Sequence, residues 1–440
     1  MSRRLHTPFS MTWLRPRLAA LAMMLFCLLA AAPAQADTRV IVQVQGGLPA
    51  VQSLCHLLGC TVQYGLGDPQ GQVFLVTVPL SLPLNLVVNL PGVLSAEIDQ
   101  VGKAMDAVAL GGVPSALYDA TPVNYYGTTV REGYLQQPAT SILRLAQAQN
   151  TFHVDGTGAT VAVIDTGVDP THPVLQNVLL TGYDFTRNRA GADERADLSQ
   201  STAAVVDQST AAVVDQSTAA VVDSYTATYL NQSQYQDFGH GTMVAGVIHL
   251  VAPRALILPL KAFHANGTGY LSDVVRAIYY AVGQHARVLN MSFSFTSSSL
   301  QLQTALTYAS ATGVISAAAA GNSGQQTLVY PAAYQSQVMG VASTSNNDTL
   351  STFSNYGSRL VWVGAPGEGV VTLYPFGTYA ATWGTSFSTP FVSGTAALLL
   401  DLNSWVNEST AAQSIAHAKY INNALGNGRL DIYQALQSWQ

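Results

Sequence analysis

Three short motifs in this chain of 440 residues carry side chains that could take part in a chemical reaction: a carboxylate, an imidazole and a hydroxyl. Asp165 follows the apolar run Val161–Ile164, which predicts a buried parallel strand, and open sheets bind ligands at the carboxyl ends of such strands. His240 lies between two glycines at the start of a predicted helix. Ser386 precedes Pro390, which fits a helix's first turn, so its hydroxyl is expected at a helix N-terminus that favours an oxyanion.

Each motif alone also has an ordinary structural interpretation. Asp165 suits a turn or a helix cap, and a Gly-Thr-Ser run is often only a turn. His240 is one of nine histidines, most of which are expected to be structural or solvated. The three groups together, however, are those that cooperate in nucleophilic catalysis, which favours one shared site.

The elements that must position these groups alternate between strand-like and helical segments after residue 136. Apolar spacing predicts a helix over Leu271–Val282. Strands are predicted at Thr160–Ile164, Ala255–Pro259, Val288–Met291, Val314–Ala318 and Val338–Val341. Such alternation predicts an α/β fold for 137–440, with a doubly wound, mostly parallel sheet flanked by helices.

A smaller α+β domain is predicted for 37–101. Its order β-α-β-β-α-β is that of a ferredoxin-like sandwich. The segments are Arg39–Gln45, Leu48–Leu58, Thr61–Tyr64, Gln72–Val78, Leu84–Leu90 and Leu94–Ile98. Residues 102–136 show no clear period, so they are expected to form an exposed linker.

The N-terminus predicts a signal peptide over 1–36. Arg15 and Arg17 precede the apolar run Leu18–Ala32, and a small-x-small cleavage site ends at Ala36. A membrane anchor is the alternative, but the run is shorter than the ~20 residues needed to span hydrocarbon. We therefore expect a secreted product, extracellular or periplasmic, with no stable membrane insertion after signal removal.

Composition narrows the possible partners. Hydrophobic residues make up 48% and charged residues 10%, which argues against a disordered chain. The net charge is −6 although the predicted signal holds four arginines and no acid, so the remainder is more acidic. An acidic protein without a basic cluster is a poor candidate for binding nucleic acid or anionic membranes.

Two further features leave alternatives open. Outside the predicted signal, Cys55 and Cys60 suit either a disulfide or two buried thiols. The octapeptide Gln-Ser-Thr-Ala-Ala-Val-Val-Asp occurs three times over 200–223, too few copies for a solenoid. We interpret this repeat as an insertion tolerated in a surface loop.

Taken together, the motifs resemble the subtilisin (subtilase) family of serine peptidases over 137–440. The matching segments occur in the family's order: Val161–Val168, His240–Thr242, Val251–Pro253, Asn290–Ser292, Ala319–Asn322, Ala365–Gly367 and Gly384–Ser386. The order Asp, His, Ser is also that of subtilisin.

The resemblance implies a serine endopeptidase that forms an acyl-enzyme. Ser386 would attack the scissile carbonyl, His240 would accept its proton, and Asp165 would hold the imidazole. The side chain of Asn322 would complete an oxyanion hole with the Ser386 backbone N–H.

The resemblance also implies where polypeptide substrates bind. An extended peptide would pair with two backbone segments, Gly267-Thr268-Gly269 and Ser292-Phe293-Ser294. The second departs from the usual Ser-Leu-Gly-Gly, and side chains at Ser294 and Phe295 should narrow the cleft or alter the primary pocket. Val329 would line the primary pocket. Because no acidic residue is seen at these positions, we expect an apolar or small residue before the scissile bond rather than Lys or Arg.

The remaining expectations concern metal, inhibitor and assembly. No cofactor is expected. The family's strong calcium site is expected to be absent, because Val174 occupies the position where many family members place a calcium-binding Asp and the His240 helix runs almost directly into Val251–Pro253. The 37–101 domain resembles the family's propeptide, which implies a zymogen whose own N-terminal domain inhibits the enzyme. Its removal would require a processing site within the linker 102–136. A monomer is expected.

Two rival interpretations can be distinguished from this one. Sedolisins share the fold and use a Glu/Asp pair instead of histidine, so His240 argues against them. A catalytically dead subtilase serving as a binding protein would not need all four of Asp165, His240, Ser386 and Asn322. A dedicated processing or acyl-transfer role is not distinguishable from general proteolysis by sequence.

Overall fold

The computed structural model describes residues 37–79, 83–104, 112–198, 213–214, 218–221 and 232–439. These divide into two compact units, one of 37–64 and 74–98 and the other of 65–73 and 99–439. The predicted signal peptide lies outside the described residues. Among the described helices, none is both long and apolar enough to cross a bilayer.

The first unit confirms the predicted ferredoxin-like order. Its elements are β1 (Thr38–Val44), α1 (Gly47–Leu58), β2 (Thr61–Gly65), β3 (Val73–Val78), α2 (Leu84–Val88) and β4 (Val93–Ile98). The strands lie in the order β2-β3-β1-β4, with β1 antiparallel to β4. One sheet face packs on the helices through Val40, Val42, Val44, Val51, Phe74, Val76 and Val87.

A disulfide joins Cys55 in the last turn of α1 to Cys60. Gly59, between them, has a φ of 68°, a left-handed conformation that glycine adopts without strain and that ends the helix. The disulfide interpretation of the two cysteines therefore holds in the structure.

The second unit contains the remaining strands and helices. Its strands are β5 (Val101–Ala104), β6 (Pro122–Tyr125), β7 (Thr128–Arg131), β8 (Thr160–Asp165), β9 (Tyr183–Asp184), β10 (Arg189–Ala190), β11 (Val213–Val214), β12 (Thr218–Val221), β13 (Leu256–Lys261), β14 (Thr268–Tyr270), β15 (Val288–Met291), β16 (Phe293–Ser294), β17 (Ile315–Ala319), β18 (Met339–Thr344), β19 (Val363–Pro366), β20 (Glu368–Tyr374) and β21 (Thr378–Trp383). Its helices are α3 (Glu132–Leu135), α4 (Pro138–Ile142), α5 (Leu145–Phe152), α6 (His240–Val251), α7 (Leu271–Gly283), α8 (Leu300–Ala311), α9 (Thr385–Leu402), α10 (Glu408–Ile415) and α11 (Ile432–Gln437).

An eight-stranded sheet of order β10-β9-β13-β8-β15-β17-β18-β19 forms the centre of this unit. The pairs from β9 to β19 are parallel and only β10 runs antiparallel, which confirms the predicted fold class. Strand β8 lies between β13 on one side and β15 on the other, so the chain reverses the direction in which it adds strands to the sheet. Such a reversal opens a crevice at the carboxyl end of β8, where Asp165 lies.

Helices α6 and α9 pack against each other and bring two of the motifs together. Small residues allow the close approach: a Cβ on Gly394 of α9 would lie 2.6 Å from Val251 Cβ of α6. At the other end of α6, a Cβ on Gly241 would lie 1.9 Å from the Gly167 carbonyl oxygen. The glycine after His240 is therefore needed for the helix to approach the Asp165 loop.

The expectation of an exposed linker is wrong for residues 112–136. This stretch forms a hairpin, β6–β7, followed by the short helix α3. Tyr134 is fully buried, and its hydroxyl donates a hydrogen bond of 2.6 Å to the Gly246 carbonyl of α6. Elements of only four residues are too short to show a period in the sequence.

The repeat is not only a surface loop. Its third copy contributes β12, which pairs antiparallel with β21, and its second copy contributes β11, which pairs with β12. The Thr and Val residues of the repeat are β-branched and favour strands. The rest of 200–223 lies outside the described residues.

Candidate active site

Asp165 and His240 form a buried pair at the carboxyl end of the central sheet. His240 Nδ1 lies 2.7 Å from Asp165 Oδ1, and the two side chains are only 3% and 1% exposed. The Thr166 backbone N–H donates to the same oxygen at 2.7 Å, which fixes the carboxylate. Burial lowers the pKa of His240, but the Asp165 charge and hydrogen bond raise it, and the net shift is upward.

Ser386 lies in the first turn of α9, directly before a residue whose ring contacts the imidazole. The ring of the next residue, Phe387, has its centroid 5.4 Å from that of His240. The Ser386 hydroxyl donates to the Ser292 carbonyl at 3.4 Å, whereas His240 Nε2 has no hydrogen-bond partner among the described residues. Asp165 holds the imidazole through Nδ1, which leaves the Nε2 lone pair to accept a proton. An imidazole held in this way is suited to act as a general base.

Asn322 is placed next to the same helix end. Its Oδ1 accepts hydrogen bonds from the Thr385 backbone N–H at 3.0 Å and from the Thr385 hydroxyl at 2.8 Å. Because the oxygen is held in this way, the orientation of the amide is fixed by the residue before Ser386. Thr385 is a positioning residue that the sequence motif contained but did not single out.

A buried series of polar side chains supports Ser386 from the central sheet. Ser393 Oγ donates to Asn290 Oδ1 at 2.9 Å, and Asn290 Nδ2 donates to Ser292 Oγ at 3.0 Å. Ser292 Oγ in turn donates to the Ser386 carbonyl at 2.9 Å. The hydroxyl of Ser292 therefore holds the backbone of α9, a role beyond the strand pairing predicted for this residue.

Glu194 is a functional-site candidate that the sequence did not indicate. Its carboxyl group accepts hydrogen bonds from the backbone N–H groups of Gly239 at 2.8 Å and Thr242 at 3.0 Å, at the start of α6. Burial raises its pKa to about 8, although hydrogen bonding to Thr242 and the charge of Lys261 oppose the shift. Only contacts between distant segments reveal this residue, since it lies 45 residues before Gly239.

The two backbone segments predicted to bind peptide flank a strand of the protein itself. Strand β5 lies between β14 and β16 in a three-stranded antiparallel sheet. Thr268 and Gly269 face Lys103 and Gly102, and the Ala104 N–H donates to the Gly267 carbonyl at 2.7 Å. The sequence predicted that a substrate strand would bind between these two segments, and in the structure β5 occupies that position.

Strand β5 is held in place by the residues before it. The Asp99 carboxylate accepts hydrogen bonds from the Ser272 backbone N–H at 2.8 Å and the Ser272 hydroxyl at 2.9 Å. The Leu271 N–H donates to the Gln100 carbonyl at 2.9 Å. These three hydrogen bonds fix the backbone just before β5, so that the strand lies between β14 and β16.

On the other side of the cleft, Phe293 and Ser294 pair with Ala104 and Lys103. Phe295, at the departure from the family pattern, is buried and pairs through both backbone groups with Tyr330, at 2.7 and 3.0 Å. Val329 is largely buried, and its Cγ2 would lie 3.6 Å from a Cβ on Gly321. Its position beside the Asn322 loop is compatible with the predicted primary pocket.

The surroundings of Val174 bear on the calcium site that the family resemblance leads us to expect to be absent. Val174 is buried and apolar, and α6 ends at Val251, with β13 beginning at Leu256. Within the described ranges, no three His, Cys, Asp or Glu side chains cluster in a way that would hold a metal ion. The expectation that no cofactor is needed stays a prediction.

Comparison with known proteins gives consistent matches. The sequence profile described as Subtilase family matches residues 156–433. Thermitase of Thermoactinomyces vulgaris is 34% identical over 295 residues, which cover 64% of this chain and 90% of thermitase. Subtilisin Savinase of Lederbergia lenta is 38% identical over 202 residues, covering 44% of this chain and 73% of that protein.

Other relatives are longer. A thermophilic serine proteinase of Bacillus sp. (strain AK1) is 35% identical over 244 residues, covering 55% of this chain but only 52% of that protein. Fervidolysin from Fervidobacterium pennivorans, a keratinolytic enzyme related to subtilisin, superposes with a TM-score of 0.68 at 21% identity. That match covers 91% of this chain and 61% of fervidolysin, and it bears on the fold alone.

Proposed function

This chain belongs to the subtilase family of serine endopeptidases, and we propose that it is an exported peptidase made as a self-inhibited precursor. Its catalytic residues are Asp165, His240 and Ser386. The observation that carries the proposal is the buried 2.7 Å contact between His240 Nδ1 and Asp165 Oδ1, beside the helix start that holds Ser386.

In the proposed mechanism the neutral imidazole carries its proton on Nδ1, toward Asp165. The Ser386 hydroxyl turns from the Ser292 carbonyl to His240 Nε2 and attacks the scissile carbonyl while its proton passes to Nε2. His240 then donates that proton to the leaving amine, and the acyl group stays on Ser386 Oγ. Water, activated by the same imidazole, releases the acyl group and restores the enzyme.

The negative charge of each tetrahedral intermediate needs hydrogen-bond donors. The Ser386 backbone N–H lies in the first turn of α9, where N–H groups have no partner within the helix. Asn322 supplies a second donor through Nδ2, since Thr385 holds its Oδ1. We propose that these two groups form the oxyanion hole.

The N-terminal domain is proposed to inhibit the precursor. Residues 99–104 occupy the cleft proposed for substrates, with backbone pairing on both sides. A segment bound in this way competes directly with a polypeptide substrate for the same hydrogen bonds. We propose that maturation makes a cut beyond Ala104, within 102–136, and so removes residues 37–101 together with the strand in the cleft.

Export and assembly complete the proposal. The predicted signal peptide, 1–36, would direct the precursor to the periplasm or the extracellular medium. The oxidising conditions there suit the Cys55–Cys60 disulfide. The mature enzyme, which begins after that cut and includes the inserted repeat, is proposed to act as a monomer on polypeptides.

Self-processing provides the test. The purified precursor should shorten on incubation, release a new N-terminus located after Ala104, and then hydrolyse casein. Ser386→Ala should remain full length and inactive under the same conditions. Equal processing and casein hydrolysis by both proteins would refute the assignment of Ser386.

A further inference from the structure

The strand in the cleft shows which of its side chains face the enzyme. Gly102 and Ala104 are buried, whereas Val101 and Lys103 are exposed. This alternation follows from strand geometry, in which successive side chains point to opposite faces. A substrate bound in the same register would therefore present every second residue to the cleft wall.

The wall opposite Gly102 is an aromatic ring. A Cβ added to Gly102 would lie 2.6 Å from Phe295 Cε1, 2.9 Å from Cζ and 3.0 Å from Cδ1. Carbon atoms in proteins do not approach this closely without displacement of one of them. Glycine therefore fits this position without displacing Phe295, and any larger residue requires the ring to move.

The ring has little room to move. With β5 in the cleft, Phe295 is 1% exposed, and its ring packs edge-on against Phe293, with ring centroids 6.0 Å apart. Phe293 in turn lies 4.9 Å from the ring of Phe263. The backbone of Phe295 is fixed by its two hydrogen bonds to Tyr330. The contact with Gly102 is thus backed by a buried aromatic cluster.

The register relates this position to the proposed chemistry. Ala104 pairs with Phe293, so the next residue of a bound substrate falls opposite Ser292. The Ser292 carbonyl lies 3.4 Å from Ser386 Oγ, which places the scissile carbonyl on that next residue, P1. Counting back from P1, the Ala104 position is P2 and the Gly102 position is P4.

We infer that Phe295 makes this peptidase select glycine at P4 of its polypeptide substrates. The inference rests on the proposed function, because it assumes that substrates bind where residues 101–104 lie. The enzyme would then cut sequences with glycine at P4 and with many different residues at P3, where the side chain faces solvent. Large apolar residues at P4 would be excluded by the ring.

Anilide peptides built on the protein's own sequence test this preference. The series is acetyl-Val-Xaa-Lys-Ala-Met-p-nitroanilide, with Gly, Ala, Val or Leu at Xaa, hydrolysed by the processed enzyme. We expect kcat/KM to fall about 10-fold from Gly to Ala and about 100-fold from Gly to Leu. The control replaces Lys at P3 with Gln, where an exposed side chain should change kcat/KM by less than about 3-fold.

The variants Phe295→Ala and Phe295→Gly should reverse the order, so that the Leu peptide is cut at least as fast as the Gly peptide. If neither variant folds, the wild-type series alone still decides. Equal kcat/KM for the Gly and Leu peptides with the wild-type enzyme would overturn the selectivity while leaving the peptidase assignment intact. Failure to cut casein or any peptide would instead refute the proposed function.

Discussion

The proposed catalytic centre and the peptide cleft meet at Ser292, but they are held together by different kinds of interaction. The centre depends on side chains from β8, α6 and α9 that meet in a buried site, through contacts such as Asp165–His240. The cleft depends on backbone hydrogen bonds along β5, β14 and β16, which almost any peptide sequence can make. Changes in the centre should therefore affect the rate of reaction, and changes in the cleft should affect which peptide is cut.

The largest effect is expected from removing the proposed base. His240→Ala should lower kcat by about 10⁶-fold, the magnitude known for subtilisin, because no group remains to accept the Ser386 proton. The measurement is kcat on the Gly peptide described above. KM should change little, since His240 lies outside the backbone pairing of the cleft.

A second histidine in the same helix provides the matched control. His249 is also buried, and burial lowers its pKa to about 3, so it is neutral at ordinary pH. Its Nδ1 contacts the Tyr134 hydroxyl at 3.1 Å, far along α6 from Asp165. His249→Gln should lower the melting temperature and leave kcat within about 3-fold. A comparable loss of kcat in both variants would mean that His240 acts only through the fold.

A smaller loss of kcat is expected at the proposed oxyanion donor, Asn322. Asn322→Leu keeps the side-chain volume but removes the amide, and kcat should fall by about 10²–10³-fold, as for the corresponding donor in subtilisin. KM should stay within about 3-fold because the donor acts on the transition state. An unchanged kcat with a raised KM would assign Asn322 to the cleft instead.

Glu194 tests how strongly the position of α6 controls the centre. In Glu194→Gln the amide nitrogen replaces one of two oxygens that accept from Gly239 and Thr242, which leaves two donors facing each other. We expect a loss of about 1–3 kcal/mol in stability and about 10-fold in kcat. Urea unfolding and peptide kinetics on the same preparation measure both.

Glu408 is the control for Glu194. It is also buried, its pKa is likewise raised to about 8 by burial, and it bonds the Ser316 backbone N–H away from the centre. Glu408→Gln should leave kcat unchanged. Between about pH 4.5 and 8 the wild type should lose stability as the pH rises, because unfolding releases the proton that folded Glu408 retains. The Gln variant has no such proton, so its free energy of unfolding should rise relative to that of the wild type over this range. If both variants lowered kcat equally, Glu194 would have no specific role.

The smallest effect concerns pH. Because the net pKa shift of His240 is upward, the imidazole is protonated, and unable to act as a base, up to a pH above 6.5. The acid limb of kcat/KM against pH should therefore have its midpoint above 6.5. A midpoint at or below 6.5 would show that the Asp165 contact does not control the proposed base.

The same contrast explains what could be predicted from the sequence. Asp165, His240 and Ser386 lie in motifs at the ends of periodic elements, so the strands and helices that hold them were predictable. The order β-α-β-β-α-β was also readable, because each element is long enough to show its pattern. These features are local in the sequence.

The features that the sequence did not reveal depend on contacts between distant segments. Glu194 has no motif of its own, and only the approach of 194–197 to α6 gives it a role. The contact between Phe295 and Gly102 joins residues that are 193 positions apart in the sequence. The burial of residues 112–136 could not be read from the sequence, because Tyr134 packs against α6 and not against its neighbours in sequence.

The central claim is that Ser386 is a nucleophile activated by His240. Labelling with a fluorophosphonate, followed by mass spectrometry of the digested protein, tests it most directly. We predict one adduct, on Ser386, formed by the processed wild-type enzyme and lost in His240→Ala. An adduct on another serine, or undiminished labelling in Ser386→Ala, would contradict the account.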